Sequence, residues 1–396
     1  MKPKLLVLAS TFPGKPGDGT PAFVLDLAWQ QAKDFDVTVL TPMTPGAETA
    51  ETIPSPDGAT SVSVVRYRYF LKRFEDLADG AILDNLRAKP SRFLQVPFLA
   101  HGLFWTTRRL VKQLGPVAIH AHWVIPQGIL ATLAAPRVPL LVTTHGGDIY
   151  ALNAAPLLAL KRWVFKRSAA ISTVNAQMKQ QLVSWGQADS KISLLPMGVD
   201  TAAVAKIAAA TAKVPSQMLV VGRLVEKKGI EFLLGALRLL EERGVSVGKL
   251  VVIGDGPIRA QLEAKAKGLA VEFRGQQGRQ QVLTAIAESE LMLIPSVTAS
   301  NGDQEGLPVT LLEGGAGGVC VIASRLPGID EVIVDSESGL LVQQRDQVAL
   351  AGAIERALAN PELRASLAAG IATSVKRFDI NVIGAGYNEV LKGIAK

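Results

Sequence analysis

Apolar residues follow two rhythms along this chain, and the two alternate. Short, near-continuous apolar runs fall at residues 5–10, 37–40, 62–65, 117–120, 140–144, 170–173 and 192–195. Between them, apolar positions return every three to four residues over 22–33, 98–114 and 175–185. The first rhythm predicts strands buried on both faces, and the second predicts amphipathic helices. The scheme then repeats. Strands are predicted at 218–221, 249–253, 271–273, 291–294, 319–323 and 340–342, and helices at 230–243, 257–267, 280–288, 307–317 and 348–359. A last helix is predicted over 381–395. Strands alternating with helices predict parallel sheets covered by helices on both faces.

An Ala-rich, low-complexity stretch at 201–214 separates the two series and leads to Pro215. A domain junction is therefore placed within 195–215. A chain of 396 residues exceeds one ordinary core. The expected fold class is α/β, with two Rossmann-like, doubly wound domains facing across a cleft: residues 1–200 and 201–378.

Composition narrows the picture. A hydrophobic share of 48% and a charged share of 19% describe a well-buried globular protein. The single cysteine, Cys320, sits in the apolar run Val319-Cys-Val-Ile-Ala and reads as an inert core thiol. Without a second cysteine there is no intrachain disulfide, which fits a reducing compartment. The four histidines lack a cysteine partner set, which argues against a structural zinc site. The apolar run after Met1-Lys-Pro-Lys is too short for a signal segment, and no run reaches membrane-spanning length. The expected location is cytoplasmic, at most peripheral at the inner face of the cell membrane.

The net charge of +7 lies wholly in the first half, where residues 1–200 carry 21 Lys and Arg against 14 Asp and Glu. Residues 62–112 hold ten basic and four acidic residues together with Tyr67, Tyr69, Phe70, Phe74, Phe93, Phe98, Phe104 and Trp105. Two readings stand. The window suits an anionic membrane surface, or it is an ordinary solvated face with its aromatics turned into the core. Nucleic acid is disfavoured, because no nucleic-acid-binding signature accompanies the charge.

Chemistry gathers at the predicted strand-to-helix turns, where ligands bind in such folds. Gly222-Arg-Leu-Val-Glu-Lys-Lys228-Gly follows a strand, and Arg223 and Lys228 can meet two phosphates, one as a fork and one as a point charge. Gly254-Asp-Gly-Pro257 permits a tight turn and close ligand approach, yet lacks the third glycine of a dinucleotide fingerprint. Phe273-Arg274-Gly275 ends the next strand, and the polar loop Ser300-Asn-Gly-Asp-Gln-Glu305 follows later. Glu305-Gly-Leu-Pro-Val-Thr-Leu-Leu-Glu313 places Glu305 ahead of a helix mouth, with Pro308 in its first turn and Glu313 roughly two turns inside. Helix N-termini attract phosphate, and carboxylates beside one accept hydrogen bonds from sugar hydroxyls. In the first half, the 11–20 loop carries Gly17-Asp-Gly19. It is no P-loop, because Lys15 is followed by Pro16. Thr143-Thr-His145-Gly-Gly-Asp148 and His120-Ala-His122-Trp each end a strand. Asp34-Phe-Asp36 precedes a strand and reads as a turn, not a metal motif.

Taken in order from His122 to Glu313, these motifs resemble the family 4 retaining glycosyltransferases. The resemblance implies the GT-B fold, with a C-terminal helix (379–396) packing back on the first domain. It implies a retaining hexosyltransferase that uses a nucleotide-diphosphate sugar and needs no metal or other cofactor. It assigns Arg223 and Lys228 to the leaving diphosphate, and Glu305 with the N–H groups of Gly306 and Leu307 to the donor sugar. Glu313 falls to the ribose, and His145 to the sugar near its phosphate. Gly254 and Arg274 lie on the nucleotide side, and Gly17 or Gly19 lines the site. His122 and Asp148 fall on the acceptor side, where His122 either packs the cleft or touches the acceptor. His120 is expected to be structural. The implied acceptor is a glycan, with the basic aromatic window hinting at a lipid-linked one, as in exopolysaccharide or cell-envelope assembly. The rival readings are a nucleotide-sugar epimerase or glycogen-type synthase of the same fold, and a non-catalytic nucleotide-sugar binding protein. One departure stands out: Gly-Gly-Ala-Gly-Gly at 314–318 replaces a bulkier helix. Each glycine costs a helix about 1 kcal/mol against alanine, so either the helix ends early or something packs close to it.

Overall fold

The computed structural model describes residues 2–15, 20–80 and 82–395; Gly17 and Gly19 lie outside them. The chain divides into two compact units. Unit 1 comprises residues 1–197 and 380–396, and unit 2 comprises residues 198–379.

Unit 1 is built on eight strands: β1 (Lys4–Leu8), β2 (Asp36–Pro42), β3 (Ala50–Pro54), β4 (Ser61–Tyr67), β5 (Ala118–His122), β6 (Leu140–Thr143), β7 (Ala170–Thr173) and β8 (Ile192–Leu194). Their order across the sheet is β3-β4-β2-β1-β5-β6-β7-β8. All pair in parallel except β3, which runs antiparallel to β4. The sequence reading has no strand at β3. Its five residues alternate between half-buried and exposed, it closes on Pro54, and it lies at the sheet edge, so it carries little of the apolar signal that marks a central strand.

Unit 2 carries β9 (Met218–Val221), β10 (Leu250–Ile253), β11 (Val271–Gly275), β12 (Leu291–Ile294), β13 (Cys320–Ser324) and β14 (Leu340–Val342). They pair wholly in parallel, in the order β11-β10-β9-β12-β13-β14. Two apolar clusters cover the two faces of this sheet, one including Leu233, Leu237 and Ile354 and the other Leu311, Leu312 and Ile371. Cys320 is buried at the start of β13, and burial pushes its thiol up to about 12, which keeps it protonated and inert.

Among its parallel strands each sheet reverses its direction of growth once. In unit 1 the reversal falls between β1 and β5, and in unit 2 between β9 and β12. Loops leaving the C-terminal ends of strands at such a point diverge and leave a crevice, the usual ligand position in open α/β sheets.

The Ala-rich stretch is not a linker. Residues Thr201–Ala209 form a helix of unit 2, because Asp200 accepts a hydrogen bond from the Ala203 N–H at 2.9 Å and caps it, while Val204 is buried beneath. The glycines after Glu313 are equally resolved. The helix spans Val309–Ala316, shorter than the predicted 307–317. A Cβ on Gly314 would stand 2.3 Å from Met292 Sδ, and one on Gly315 would stand 2.6 Å from Val375 Cγ1. Close packing against β12 and the 361–378 segment explains these two, and Gly318 has a left-handed φ of +62.

The helix Ile380–Ile394 belongs to unit 1 and packs on the helix Phe23–Gln31. Tyr387 is fully buried, and its hydroxyl donates to the Leu195 carbonyl at 2.7 Å. Asn388 Nδ2 donates to Gln30 O at 3.0 Å and to Asp34 Oδ2 at 2.8 Å, and Lys392 pairs with Asp34 at 2.8 Å. Asp34 of the Asp-x-Asp therefore anchors this helix.

Candidate functional site

Both reversal points carry the residues singled out from the sequence. In unit 2, the loop after β9 holds Arg223 and Lys228, and the loop after β12 holds Glu305. Lys228 Nζ stands 3.0 Å from Glu305 Oε1, and both side chains are largely enclosed. Among the described residues no well-directed hydrogen bond reaches Oε1, so the oxygen is held by charge and keeps the capacity to accept one. Burial alone would raise the Glu305 pKa, but Lys228 and Lys227 outweigh it and hold it below the usual carboxylate value. Glu305 is therefore an anion, suited to sugar hydroxyls.

The sequence reading missed the partners that fix this pair. Three consecutive residues of one loop engage three of the other. The N–H and Oγ of Ser300 donate to the two carboxylate oxygens of Glu226, at 2.8 Å each. Lys227 pairs with Asp303 at 3.1 Å, and Lys228 with Glu305. Thr298 adds contacts from behind: its N–H donates to Gln344 Oε1 at 2.8 Å, and its carbonyl accepts from Arg345 at 2.6 Å. The sequence hint was the opposite charge of Lys227 and Lys228 against Asp303 and Glu305. That signal becomes useful only once the sheet order puts β9 beside β12.

Two glycines bring the loops together. Gly229 has φ +62, and a Cβ there would stand 1.9 Å from the Pro295 carbonyl oxygen. Gly254 has φ +135, and its Cβ would lie 2.0 Å from the Gly222 carbonyl oxygen. The close approach expected at Gly254 is thus to the neighbouring loop's backbone. Gly229→Ala is expected to destabilise the protein by about 3 kcal/mol, combining overpacking against a backbone carbonyl with a left-handed alanine. Gly352, inside the helix Gln347–Ala359, has open space where a Cβ would go, so Gly352→Ala is expected to stabilise by about 1 kcal/mol. Urea unfolding of the two variants checks both signs.

Pro308 is the N-cap of Val309–Ala316 and not its first turn, with an extended ψ of 120°. Glu313 is consequently the fifth helical residue, little more than one turn in, and half-buried. Gly306 and Leu307 form the approach to the helix mouth. Arg274 lies at the end of the edge strand β11, with its guanidinium 3.2 Å from Glu272, and Gly275 accepts the Gly254 N–H at 2.8 Å.

In unit 1, β5 and β6 end in a cluster of imidazoles. His120 is fully buried, with Nδ1 at 2.7 Å from Gln31 Nε2 and Nε2 at 2.7 Å from Thr143 Oγ1. Both nitrogens are occupied, which makes it structural. His122 Nδ1 lies 3.1 Å from His145 Nε2, and His122 Nε2 is buried with no hydrogen-bond partner among the described residues. Burial lowers the pKa of all three rings, with neighbouring imidazoles lowering His120 and His122 further. As a whole residue, His145 is only partly buried. Asp148 holds that ring's loop: its Oδ1 accepts the His145 N–H at 2.9 Å and its Oδ2 accepts the Val124 N–H at 3.1 Å. Buried, with its pKa raised by desolvation, it clamps the β5 and β6 loops together.

Trp123 also escaped the sequence reading. It follows His122 with φ +71 and ψ +138, a conformation costly for a side chain of this size, at about 1–3 kcal/mol. Its ring lies 4.5 Å from His145 and 6.1 Å from Phe23. Such strain persists where the surroundings over-determine it, typically at functional sites.

Residues 17–203 match the Glycosyltransferase Family 4 model, and residues 206–372 match the model of glycosyl transferases group 1. The two matches adjoin, and the chain belongs to the glycosyltransferases of family 4, with the GT-B fold. Among curated relatives, it is 28% identical over 285 residues to the putative colanic acid biosynthesis glycosyltransferase WcaL of Salmonella typhimurium, covering 70% of this chain and 66% of that protein. It is 31% identical over 197 residues to the amylovoran biosynthesis glycosyltransferase AmsK of Erwinia amylovora, covering 49% of this chain and 48% of AmsK. The matched region thus spans less than two thirds of either relative's length. Among solved structures, sucrose-phosphate synthase from Thermosynechococcus elongatus superposes over 99% of both chains, with a TM-score of 0.77 at 19% identity. Anabaena HepE in complex with UDP-glucose superposes over 99% of this chain and 100% of HepE, with a TM-score of 0.71 at 16% identity.

Proposed function

We propose that this protein is a retaining, metal-independent glycosyltransferase of exopolysaccharide or cell-envelope assembly. It moves a hexose from a nucleotide-diphosphate sugar to a glycan acceptor, with a lipid-linked acceptor favoured. The observation that carries the reading is the enclosed Lys228–Glu305 pair at the β9/β12 reversal point, a cation for phosphate beside an anion for sugar hydroxyls. The relatives named for colanic acid and amylovoran biosynthesis support the glycan, and HepE's UDP-glucose supports the donor class.

In the proposed reaction, the bond between the sugar's anomeric carbon and the diphosphate oxygen breaks. The acceptor oxygen bonds to the same face of that carbon, and its proton passes to the leaving phosphate. Arg223, Lys228 and the N–H groups leading into Val309–Ala316 stabilise the departing negative charge. Side chains and backbone thus supply the positive charge that a metal ion would otherwise bring. Glu305 holds the sugar, Glu313 the ribose, and His145 supports the sugar near its phosphate. Asp148 and His122 position that histidine.

Arg223→Ala is expected to lower sugar transfer by 10²-fold or more, as for loss of one transition-state donor, with chelator leaving the wild type unchanged. Unaltered transfer in Arg223→Ala would sink the assignment. Thermal-shift screening with UDP, GDP and ADP identifies the base, since a ligand of the native state raises the midpoint. Nucleotide release that requires acceptor separates transfer from epimerisation, and binding without turnover would mark a non-catalytic protein.

A further inference from the structure

The basic aromatic window resolves into two parts. Tyr67 and Tyr69 are core residues, as the plain reading of the window expects. The rest is exposed. Among the described residues, fourteen large apolar side chains stand open to solvent, and seven of them fall between Leu71 and Trp105. All four exposed aromatics, Phe74, Phe93, Phe98 and Trp105, are in that stretch.

They share a surface. The helix Val96–Leu114 buries Leu99, Leu103, Thr107 and Leu110. Its opposite face carries Phe98, His101, Trp105, Arg108, Arg109 and Lys112, all exposed, at spacings that keep helix residues on one side. Phe70 meets Phe98 edge-on at 5.5 Å, which lays the segment with Leu71 and Phe74 against the helix's first turns. Phe93 and Leu94 lead directly into the same helix. Apolar groups therefore gather at one end of a strip roughly 21 Å long from Phe98 to Lys112, and cations occupy the other.

Two acids of the stretch are already engaged by partners. Glu75 is buried and accepts from the N–H groups of Tyr69 and Phe70 and from Arg68. Asp76 is occupied by Arg92 and Gln95. They brace the 69–76 loop against the 90–95 segment. Lys72, Arg73, Arg108, Arg109 and Lys112 are exposed, whereas among the described acidic side chains between residues 71 and 112 only Asp79 is exposed. This charge pattern selects the occupant.

We propose that this face of unit 1 docks on an anionic lipid bilayer, with Leu71, Phe74, Phe93, Phe98 and Trp105 entering the interface and Arg108, Arg109 and Lys112 lying on the phosphate layer. Aromatic and aliphatic groups at the acyl boundary, with cations on anionic headgroups, are the combination that holds a peripheral protein reversibly. The proposal gives a lipid-linked acceptor a reason to be within reach, but it does not depend on sugar transfer.

The test is sedimentation of the full chain with phosphatidylcholine vesicles, with and without phosphatidylglycerol. Recovery at low salt is expected to be at least about ten-fold higher on the anionic vesicles and to fall as salt rises. Arg108→Glu/Arg109→Glu/Lys112→Glu is expected to reduce it to the neutral-vesicle level. Phe98→Ser/Trp105→Ser is expected to weaken it several-fold even at low salt. Val334→Ser/Val348→Ser, two exposed apolar positions in unit 2, is expected to leave it unchanged. Circular dichroism confirms that each variant is folded. Equal recovery on both vesicle types overturns the proposal. So does a dimer by light scattering that the Phe98→Ser/Trp105→Ser variant dissolves, which would make a second copy the occupant. Neither outcome involves turnover, so each leaves the donor site standing.

Discussion

Lys228→Met is expected to cut sugar transfer by about 10³-fold and to destabilise unit 2 by about 3 kcal/mol. The first number follows from removing a preorganised cation from the leaving diphosphate. The second follows from leaving Glu305 enclosed with its nearest counter-charge gone, which costs far more than the intact pair contributes. Without Lys228 the remaining opposing influence on Glu305 is mainly Lys227, so burial shifts its carboxyl upward. The sign of the pH dependence then changes. In the wild type, Glu305 titrates below its unfolded value, so its contribution is present above about 4.5 and lost as pH falls. In the variant, stability instead improves as pH falls and the carboxyl takes up a proton. The double variant Lys228→Met/Glu305→Gln separates the two roles. It is expected to regain most of the stability and none of the activity. Urea unfolding followed by far-ultraviolet circular dichroism reads stability, and nucleoside diphosphate release reads activity. Wild-type turnover in Lys228→Met would remove this pair from the donor site.

Acid is expected to unfold unit 1 through its three imidazoles. His120, His122 and His145 are each held below the ordinary value of 6.5, chiefly by burial. Above that value they are neutral whether folded or unfolded, and stability is untouched. Below it the unfolded chain takes up protons that the folded one refuses, so stability is lost as pH falls toward the folded values. Going from pH 7.5 to 5 costs roughly 2 kcal/mol per fully excluded imidazole. All five tryptophans, from Trp29 to Trp185, lie in unit 1, so indole fluorescence reports this unit alone. The urea midpoint is expected to fall steeply over that range, and less steeply in His120→Gln, which keeps a polar group between Gln31 and Thr143. A midpoint that stays level between pH 7.5 and 5 would show that the cluster accepts protons while folded.

Much of this was legible in the sequence because parallel strands buried on both faces are continuous apolar runs. Of the fourteen described strands most announce themselves that way; β4 shows instead an alternating pattern and β11 a half-buried one, and β3, exposed on one face at an edge, gives neither signal. Helices with an ordinary apolar stripe were also legible. Ala155–Arg167 and Pro361–Ser374 were missed, although Asn360-Pro361 is a cap followed by a first-turn proline. The candidate residues at strand ends were readable one by one, from glycines and charged groups in turns. Their partners were not. That Glu226 meets Ser300, Lys227 meets Asp303 and Lys228 meets Glu305 depends on β9 lying beside β12, and a strand order that skips two strands leaves no mark in local periodicity. The strain at Trp123 is invisible for a different reason. The residue's own preferences argue against its conformation, and only the surrounding loops impose it.

The chain passes between its two units twice, at 197–198 and again at 379–380, so unit 2 is an uninterrupted segment set inside unit 1. During synthesis, unit 2 has all of its residues before unit 1 has received Tyr387 and Asn388. Until then the buried position that Tyr387 fills is vacant, and the Leu195 carbonyl lacks its donor. Loss of the last fifteen or so residues would therefore injure the N-terminal half of the molecule and spare the half that immediately precedes the cut.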